Sequence, residues 1–346
     1  MLFRSWKAYT GGAVKQSPTV WQDRLFVGSG DGWVYCFEAK TGRLLWRFNA
    51  APENRKIPVY KSLMSTWPVA TGILVEDGIA YFGAGIVNYD GTYVYALDAK
   101  SGEIIWQNNT SGHLDREART GASVHGHLLI LNGKLYMASG TAISPAIYDL
   151  ATGKCLNDPE PLKICKSNNS RGSELYQVGD KVVVSGKQLY ADPDYPVYDP
   201  TITNKILHTT TGGHDIVWLN DRVIKSYRPI DKEILNQCVA DPTTKPYYMN
   251  QGWGKFDVPN QPIWEYECEG SSSIAVCKNA IAIVRKSPNG MHGVEVINLK
   301  NGARIEGYQS QLVSPPLPWG MAVDKEGKII VALKDGQIIC YGVKHP

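Results

Sequence analysis

The chain has no apolar run of the ~18 residues that a membrane-crossing helix needs, so no helical span is expected. Its seven cysteines include no CxxC and no adjacent pair, which excludes thiolate metal knuckles and a vicinal disulfide. Charge of one sign is not gathered anywhere: 36 Lys and Arg stand against 33 Asp and Glu, a net charge of +3. Without a basic block, nucleic acid is excluded as a partner. The opening residues, Met1-Leu2-Phe3-Arg4-Ser5-Trp6, do not lead a charged segment into an apolar one, so no secretory signal is read there. There is no GxSxG nucleophile elbow, and no stretch keeps a helical apolar period over several turns.

What the chain does have is aromatic side chains, 19 Tyr and 10 Trp, together with 34 Gly and 20 Pro spread along its length. Flat and β-branched side chains fit a pleated surface, and Gly and Pro in this number fit many short turns. A repeat organises them. Residues 22–46 read QDRLFVGSGDGWVYCFEAKTGRLLW, and residues 76–106 read EDGIAYFGAGIVNYDGTYVYALDAKSGEIIW. Both run through a polar turn, an apolar strand, a second turn, an alternating strand, a Thr/Ser-Gly turn and a strand closing on Trp. Looser copies lie at 132–157, 179–208, 220–230 continued at 262–270, 278–308 and 326–342. Asp31-Gly32, Asp90-Gly91 and Asp335-Gly336 fit tight hairpins that need a positive φ.

The last copy stops at Tyr341-Gly342 without its closing strand, and Phe3-Arg4-Ser5-Trp6-Lys7-Ala8 resembles Leu44-Leu45-Trp46-Arg47-Phe48. The N-terminal strand is therefore expected to complete the last sheet. The fold class read from this is all-β, a single closed β-propeller over 1–346 with seven four-stranded blades, eight or six being the alternatives. The blades are expected near 17–51, 65–110, 122–157, 173–211, 214–267, 272–309 and 315–342 plus 2–9, with 231–262 as a loop insertion. A chain of this pattern is expected to be a monomer.

Ala39-Lys40-Thr41-Gly42 with Trp46, and Asp98-Ala99-Lys100-Ser101-Gly102 with Trp106, resemble the quinoprotein-type (PQQ-like) propeller repeat, A-x-D-x-x-T-G-x-x-x-W; Asp149-Leu150-Ala151-Thr152-Gly153 is a looser match. DGWVYCFEAKTG, STWPV, DPDYPVYD and LPWGMAVD resemble the C-terminal propeller of long multi-domain bacterial proteins, often exported, so the resemblance implies a periplasmic or extracellular module of a larger protein. It also implies that Trp6, Trp46, Trp106 and Trp264 dock blade on blade. The family holds dehydrogenases that bind pyrroloquinoline quinone with calcium, and non-enzymatic scaffolds of outer-membrane protein assembly; fold cannot choose between them. The chain lacks the family's paired cysteines and any calcium-type carboxylate set at repeat-equivalent positions, so neither quinone nor calcium is expected.

Innermost strands of a propeller converge on a funnel. Aligning Asp23, Asp77, Gly133, Asp180, Asp221 and Asn279 and counting back six residues reaches Ser17, Thr71, His127, Glu174, Asp215 and Ser273, with Trp319 or Gly320 in the last copy. Trp67, His125, His127, Glu174, Asp215 and Trp319 are the candidate ligand rim; semi-exposed strand starts can also be polar without function. In the loop at 111–121, His113, Arg116 and Arg119 would suit an anionic sugar or carboxylate, or simply pair with Asp115 and Glu117 in a solvated loop. The expected function is a non-catalytic module that binds a protein or a glycan. The alternative is an enzyme, either a quinone-dependent dehydrogenase or a polysaccharide lyase using His113, Arg119 and Tyr227. His208, His214 and Asp215 match no metal-ligand spacing, and no catalytic or metal residue is assigned.

Overall fold

A computed structural model describes residues 2–59, 62–87, 90–113, 121–124, 126–139, 143–157, 174–178, 181–185, 204–208, 214–219, 222–230, 233 and 261–343. His125, Arg116, Arg119 and nearly all of the 231–262 insertion lie outside the described residues. Among the described residues the chain forms eight antiparallel sheets, five of them four-stranded, and no helix is long and apolar enough to cross a membrane. In the first repeat Thr19–Trp21, Arg24–Gly28, Trp33–Glu38 and Leu44–Asn49 pair in chain order. Leu74–Glu76, Ile79–Ala84, Tyr93–Asp98 and Ile104–Asn108 do the same in the second. The middle strands are buried on both faces, which is why their sequences are apolar throughout rather than alternating.

The sheets stack side by side as in a β-propeller. One buried cluster joins Phe26, Val34 and Cys36 to Phe82, Tyr95 and Leu97, and the next joins Tyr81, Val94 and Trp106 to Leu135, Met137 and Tyr148. Val284 and Val294 pack on Met321, Val331 and Tyr341, and Leu25 and Tyr35 pack on Ile330 and Ile338. Leu2–Tyr9 pairs along Gln337–Val343, from Leu2↔Val343 to Tyr9↔Gln337, so the two ends of the chain share one four-stranded sheet with Ile329–Leu333 and Pro316–Val323.

The Thr/Ser-Gly turn explains how neighbours lock. Each turn glycine has a positive φ, and its N–H closes on the carbonyl four residues back: Gly102 on Asp98, Gly153 on Asp149 and Gly302 on Asn298. Asp98 Oδ1 accepts from the N–H groups of Lys100 and Ser101, and these bonds hold its carboxyl below the usual range. The closing Trp of one sheet lies flat on the turn glycine of the next: Trp6 on Gly42, Trp46 on Gly102, Trp106 on Gly153 and Trp264 on Gly302. Trp6, Trp106 and Trp264 also donate Nε1–H to Ala39, Leu150 and Leu299, at 2.9, 3.0 and 2.8 Å. Each acceptor sits three residues before the glycine. Trp46 keeps the stacking but its buried Nε1 has no hydrogen-bond partner.

Two features depart from the sequence reading. An extra hairpin, Lys56–Val59 with Ser62–Ser65, stands between the first and second sheets. Asn204–His208, expected in the fourth blade, instead pairs with Asp215–Leu219, His208 facing Asp215. A short connection favours antiparallel neighbours in the same sheet, and here that local pairing prevails over the repeat phase. Glu174–Val178 and Lys181–Ser185 are the described strands of the intervening sheet.

Cys36 and Cys340 occupy matching, fully buried positions, and burial pushes each thiol up to about 12. In the unfolded chain these thiols ionise near ~8.5. Between that value and about 12 the folded state holds more protons than the unfolded one, so stability must fall as pH rises through the window. The urea midpoint is expected to drop between pH ~7.5 and ~10, and to drop less in the Cys36→Ser/Cys340→Ser double variant. An equal drop in both proteins would remove the thiols as its cause.

Candidate functional site

Ser17, Thr71 and His127 lie just before the first strand of their sheets and Glu174, Ser273 and Trp319 lie on it, whereas Asp215 starts a second strand, behind Asn204–His208. Thr71 is fully buried, its Oγ1 accepting the Gly83 N–H at 2.8 Å, and the chain beside it bridges to Gly126. Ser273 Oγ donates to Leu317 O at 3.0 Å, linking two neighbouring sheets at their inner ends.

Leu317 begins a bulge. Pairing along Pro316–Val323 jumps from Pro316↔Leu333 to Met321↔Val331. The intervening Leu-Pro-Trp-Gly leaves the ladder, and Trp319 stands at its crest with φ 57°. A left-handed φ on a bulky residue costs ~1 kcal/mol or more, and bulges re-aim side chains. This one carries the indole to residues far away in sequence. Trp319 Nε1–H donates to Glu174 Oε1 at 2.8 Å, and the ring meets His127 edge-to-face, centroids 5.7 Å apart at 81°. Glu174 is buried, while His127 and Trp319 are half-buried. Three of the predicted rim residues, from three separate sheets, thus form one group.

The other predicted residues have different surroundings. Trp67 is buried, donates Nε1–H to Asp90 O at 2.6 Å, meets the Tyr93 ring edge-on and carries the Arg55 guanidinium over its face at 4.6 Å. Arg55 also pairs with Asp90 at 3.4 Å. Sequence reasoning passed over Arg55 because it precedes the extra hairpin and has no repeat counterpart. Asp215 Oδ2 accepts the Ile230 N–H at 2.6 Å, and the adjacent His214 Nδ1 bonds Ser226 Oγ at 2.8 Å. Both contacts stay within one sheet, on a strand flanked by Asn204–His208. Tyr227 is buried in that sheet. His113 abuts Gly121 at the base of its loop; Arg116 and Arg119 lie outside the described residues.

A planar quinone stacks on an open aromatic face beside free carboxylate oxygens. Here the indole is met by His127 and its N–H is held by Glu174, so the three side chains are bound to one another. Among the described residues no cluster of His, Cys, Asp and Glu is arranged to hold a metal. What the trio offers is a rigid, hydrogen-bonded aromatic platform at the inner end of the sheets.

A family model described as outer membrane protein assembly factor BamB matches residues 4–221. The polyvinylalcohol dehydrogenase of Sphingopyxis sp. (strain 113P3) is 29% identical over 185 residues, covering 47% of this chain and 26% of that protein. The dehydrogenase subunit of the quinone alcohol dehydrogenase of Acetobacter aceti is 27% identical over 128 residues, 37% of this chain and 16% of that one. The matches thus span about a quarter or less of these curated relatives. BamB from Moraxella catarrhalis aligns over 98% of this chain and 80% of its own, at TM-score 0.34 and 13% identity. The Neurospora crassa Pan2 WD40 domain aligns over 100% and 96%, at TM-score 0.45 and 10% identity.

Proposed function

This chain belongs to the PQQ-like repeat family described as outer membrane protein assembly factor BamB, and from that premise we propose that it is a non-catalytic, closed seven-bladed propeller that binds a protein partner at the mouth of its central funnel. The shared terminal sheet and the run of Trp-on-Gly latches support the closed ring. The observation that carries the binding reading is the bond from Trp319 to Glu174, with His127 against the same indole. It commits an aromatic and a carboxylate to each other instead of to a cofactor. Pre-organised aromatic groups on a rigid frame suit recognition, since little conformational freedom is lost on binding. Of the other expected rim residues, Trp67 and Asp215 are bonded within their own regions and His125 lies outside the described residues. The module reading extends to the larger exported protein that the repeats resemble.

A second reading has its own support: the curated relatives are dehydrogenases. One experiment separates the two. The full chain is assayed for dye-linked oxidation of primary and secondary alcohols after incubation with pyrroloquinoline quinone and calcium. No turnover above background is expected; turnover would establish the dehydrogenase and end the binding-only reading. In parallel, the chain is cross-linked in extracts of its native host. A partner captured by the parent protein and lost in Trp319→Ala supports the funnel site. Equal capture by both moves the interface elsewhere.

A further inference from the structure

The sheet of Ser271–Val276, Ala280–Lys286, His292–Asn298 and Ser310–Gln311 carries a second polar site, apart from the funnel and independent of the reading above. A cleft of about 410 Å³ opens where Ala280–Lys286, His292–Asn298 and Ser310–Gln311 meet, lined by Arg285, Met291, His292, Glu295, Arg304 and Gln311 among others. Glu295 is 4% exposed, an unusual position for a carboxylate. Arg285 Nε stands 2.9 Å from its Oε1, and Arg304 Nε 3.9 Å from its Oε2. The Tyr266 hydroxyl also lies at this carboxyl; the Arg285 N–H is not aimed at Oε1, however, and that buried oxygen accepts no well-aimed hydrogen bond. Its neighbour His292 is in the same condition: Nδ1 is buried without a partner. The Gln311 amide donates only to the Met291 sulfur, a weak acceptor.

A buried polar atom without a hydrogen bond is costly, and two of them lining one cleft specify what would relieve them. Glu295 Oε1 needs a donor. His292 Nδ1 takes either role; burial first, then Lys286 and Lys334, lower its pKa, so the imidazole is neutral near pH 7. A hydroxyl group both donates and accepts, and a pair of neighbouring hydroxyls can meet both atoms at once. The surrounding charges narrow the choice. An anion would meet the Glu295 carboxylate, and a cation would meet Arg285, Arg304, Lys286 and Lys334. Met291, 44% exposed, supplies an apolar ledge for a C–H face.

We propose that this cleft binds a neutral saccharide, with Glu295 and His292 engaging adjacent hydroxyls and Met291 lying under the ring. The test is saturation-transfer NMR and calorimetry on the full chain with a panel of neutral methyl glycosides, and with sodium glucuronate and methylammonium as charged comparators. One or more neutral glycosides should bind with about millimolar affinity. Binding should weaken at least tenfold in Glu295→Gln and in His292→Phe. Glu295→Gln keeps the volume but leaves two arginines without their carboxylate. Should it fail to fold, His292→Phe, which fills the cleft and spares the ion pairs, decides alone. The proposal is overturned if no neutral glycoside binds, meaning water alone fills the cleft; if both variants bind like the parent; or if glucuronate or methylammonium is preferred. The readout is glycoside binding and involves neither partner capture nor quinone turnover, so loss of the funnel reading and loss of this one are distinguishable.

Discussion

A chain lacking Leu2–Tyr9 is expected to lose cooperative folding. That strand supplies an antiparallel ladder to Gln337–Val343, interrupted by a register shift between Arg4 and Trp6, and each backbone hydrogen bond contributes about 0.5–1.5 kcal/mol net. It also brings the half-buried Trp6, which lies on Gly42 and donates to Ala39 O at 2.9 Å; loss of a fully buried Trp side chain costs about 3–5 kcal/mol, and of this one somewhat less. Together these reach the ~5–15 kcal/mol by which a domain is stable. Removal would further bare the edge of Gln337–Val343, whose neighbours Ile338, Ile339 and Cys340 are buried apolar residues, and an apolar edge invites association. The measurement is urea unfolding followed by tryptophan fluorescence and size-exclusion chromatography. A permuted chain makes the control. Leu2 faces Val343 in the ladder, so joining these ends through a short loop and opening new termini near Gly11 should restore the transition. A deletion that unfolds as sharply as the parent would mean that the terminal strand is dispensable.

Gly153→Ala should destabilise the protein far more than Gly133→Ala, although both glycines have nearly the same φ, 71° and 70°. Any L-residue at such an angle costs ~1–2 kcal/mol. At Gly133 a Cβ would meet nothing within 4 Å, so that is the whole effect. At Gly153 it would lie 2.3 Å from Trp106 Cε3. The indole cannot yield easily, because its Nε1–H is held by Leu150 O at 3.0 Å. Overpacking of this kind adds about 1–3 kcal/mol. Equilibrium denaturation of the two variants measures the difference directly. Equal midpoints would mean that the Trp-on-Gly contact is slack and that sheets are joined by their apolar faces alone.

The turn, the glycine and the tryptophan were legible because each depends on a few consecutive residues. Asp98, Lys100, Ser101 and Gly102 make their turn among themselves, and the Trp four residues on follows from the repeat. The same locality let counting back from the turn reach His127, Glu174 and Trp319. Their grouping was not legible. Glu174 and Trp319 are 145 residues apart, and the bulge that turns the indole inward is a loss of register that no repeat spacing announces. Trp67 and Asp215 show the converse: Asp215 was reached by the same count and Trp67 lies shortly before Thr71, yet each is bound by neighbours of its own region. Glu295 was hidden as well, since an acidic residue in an alternating strand reads as solvent-facing, and only the packing around it buries the carboxylate.

The sequence by itself determined the all-β class, the repeat, the turn glycines and the pairing of the two chain ends, because hydrophobic alternation and turn chemistry act over a few residues at a time. Tertiary structure alone decided which polar residues meet, where Asn204–His208 pairs and which buried atoms lack partners. Those outcomes depend on how separately formed sheets are brought face to face, and contact between sheets is a property of distance in space that spacing along the chain does not encode.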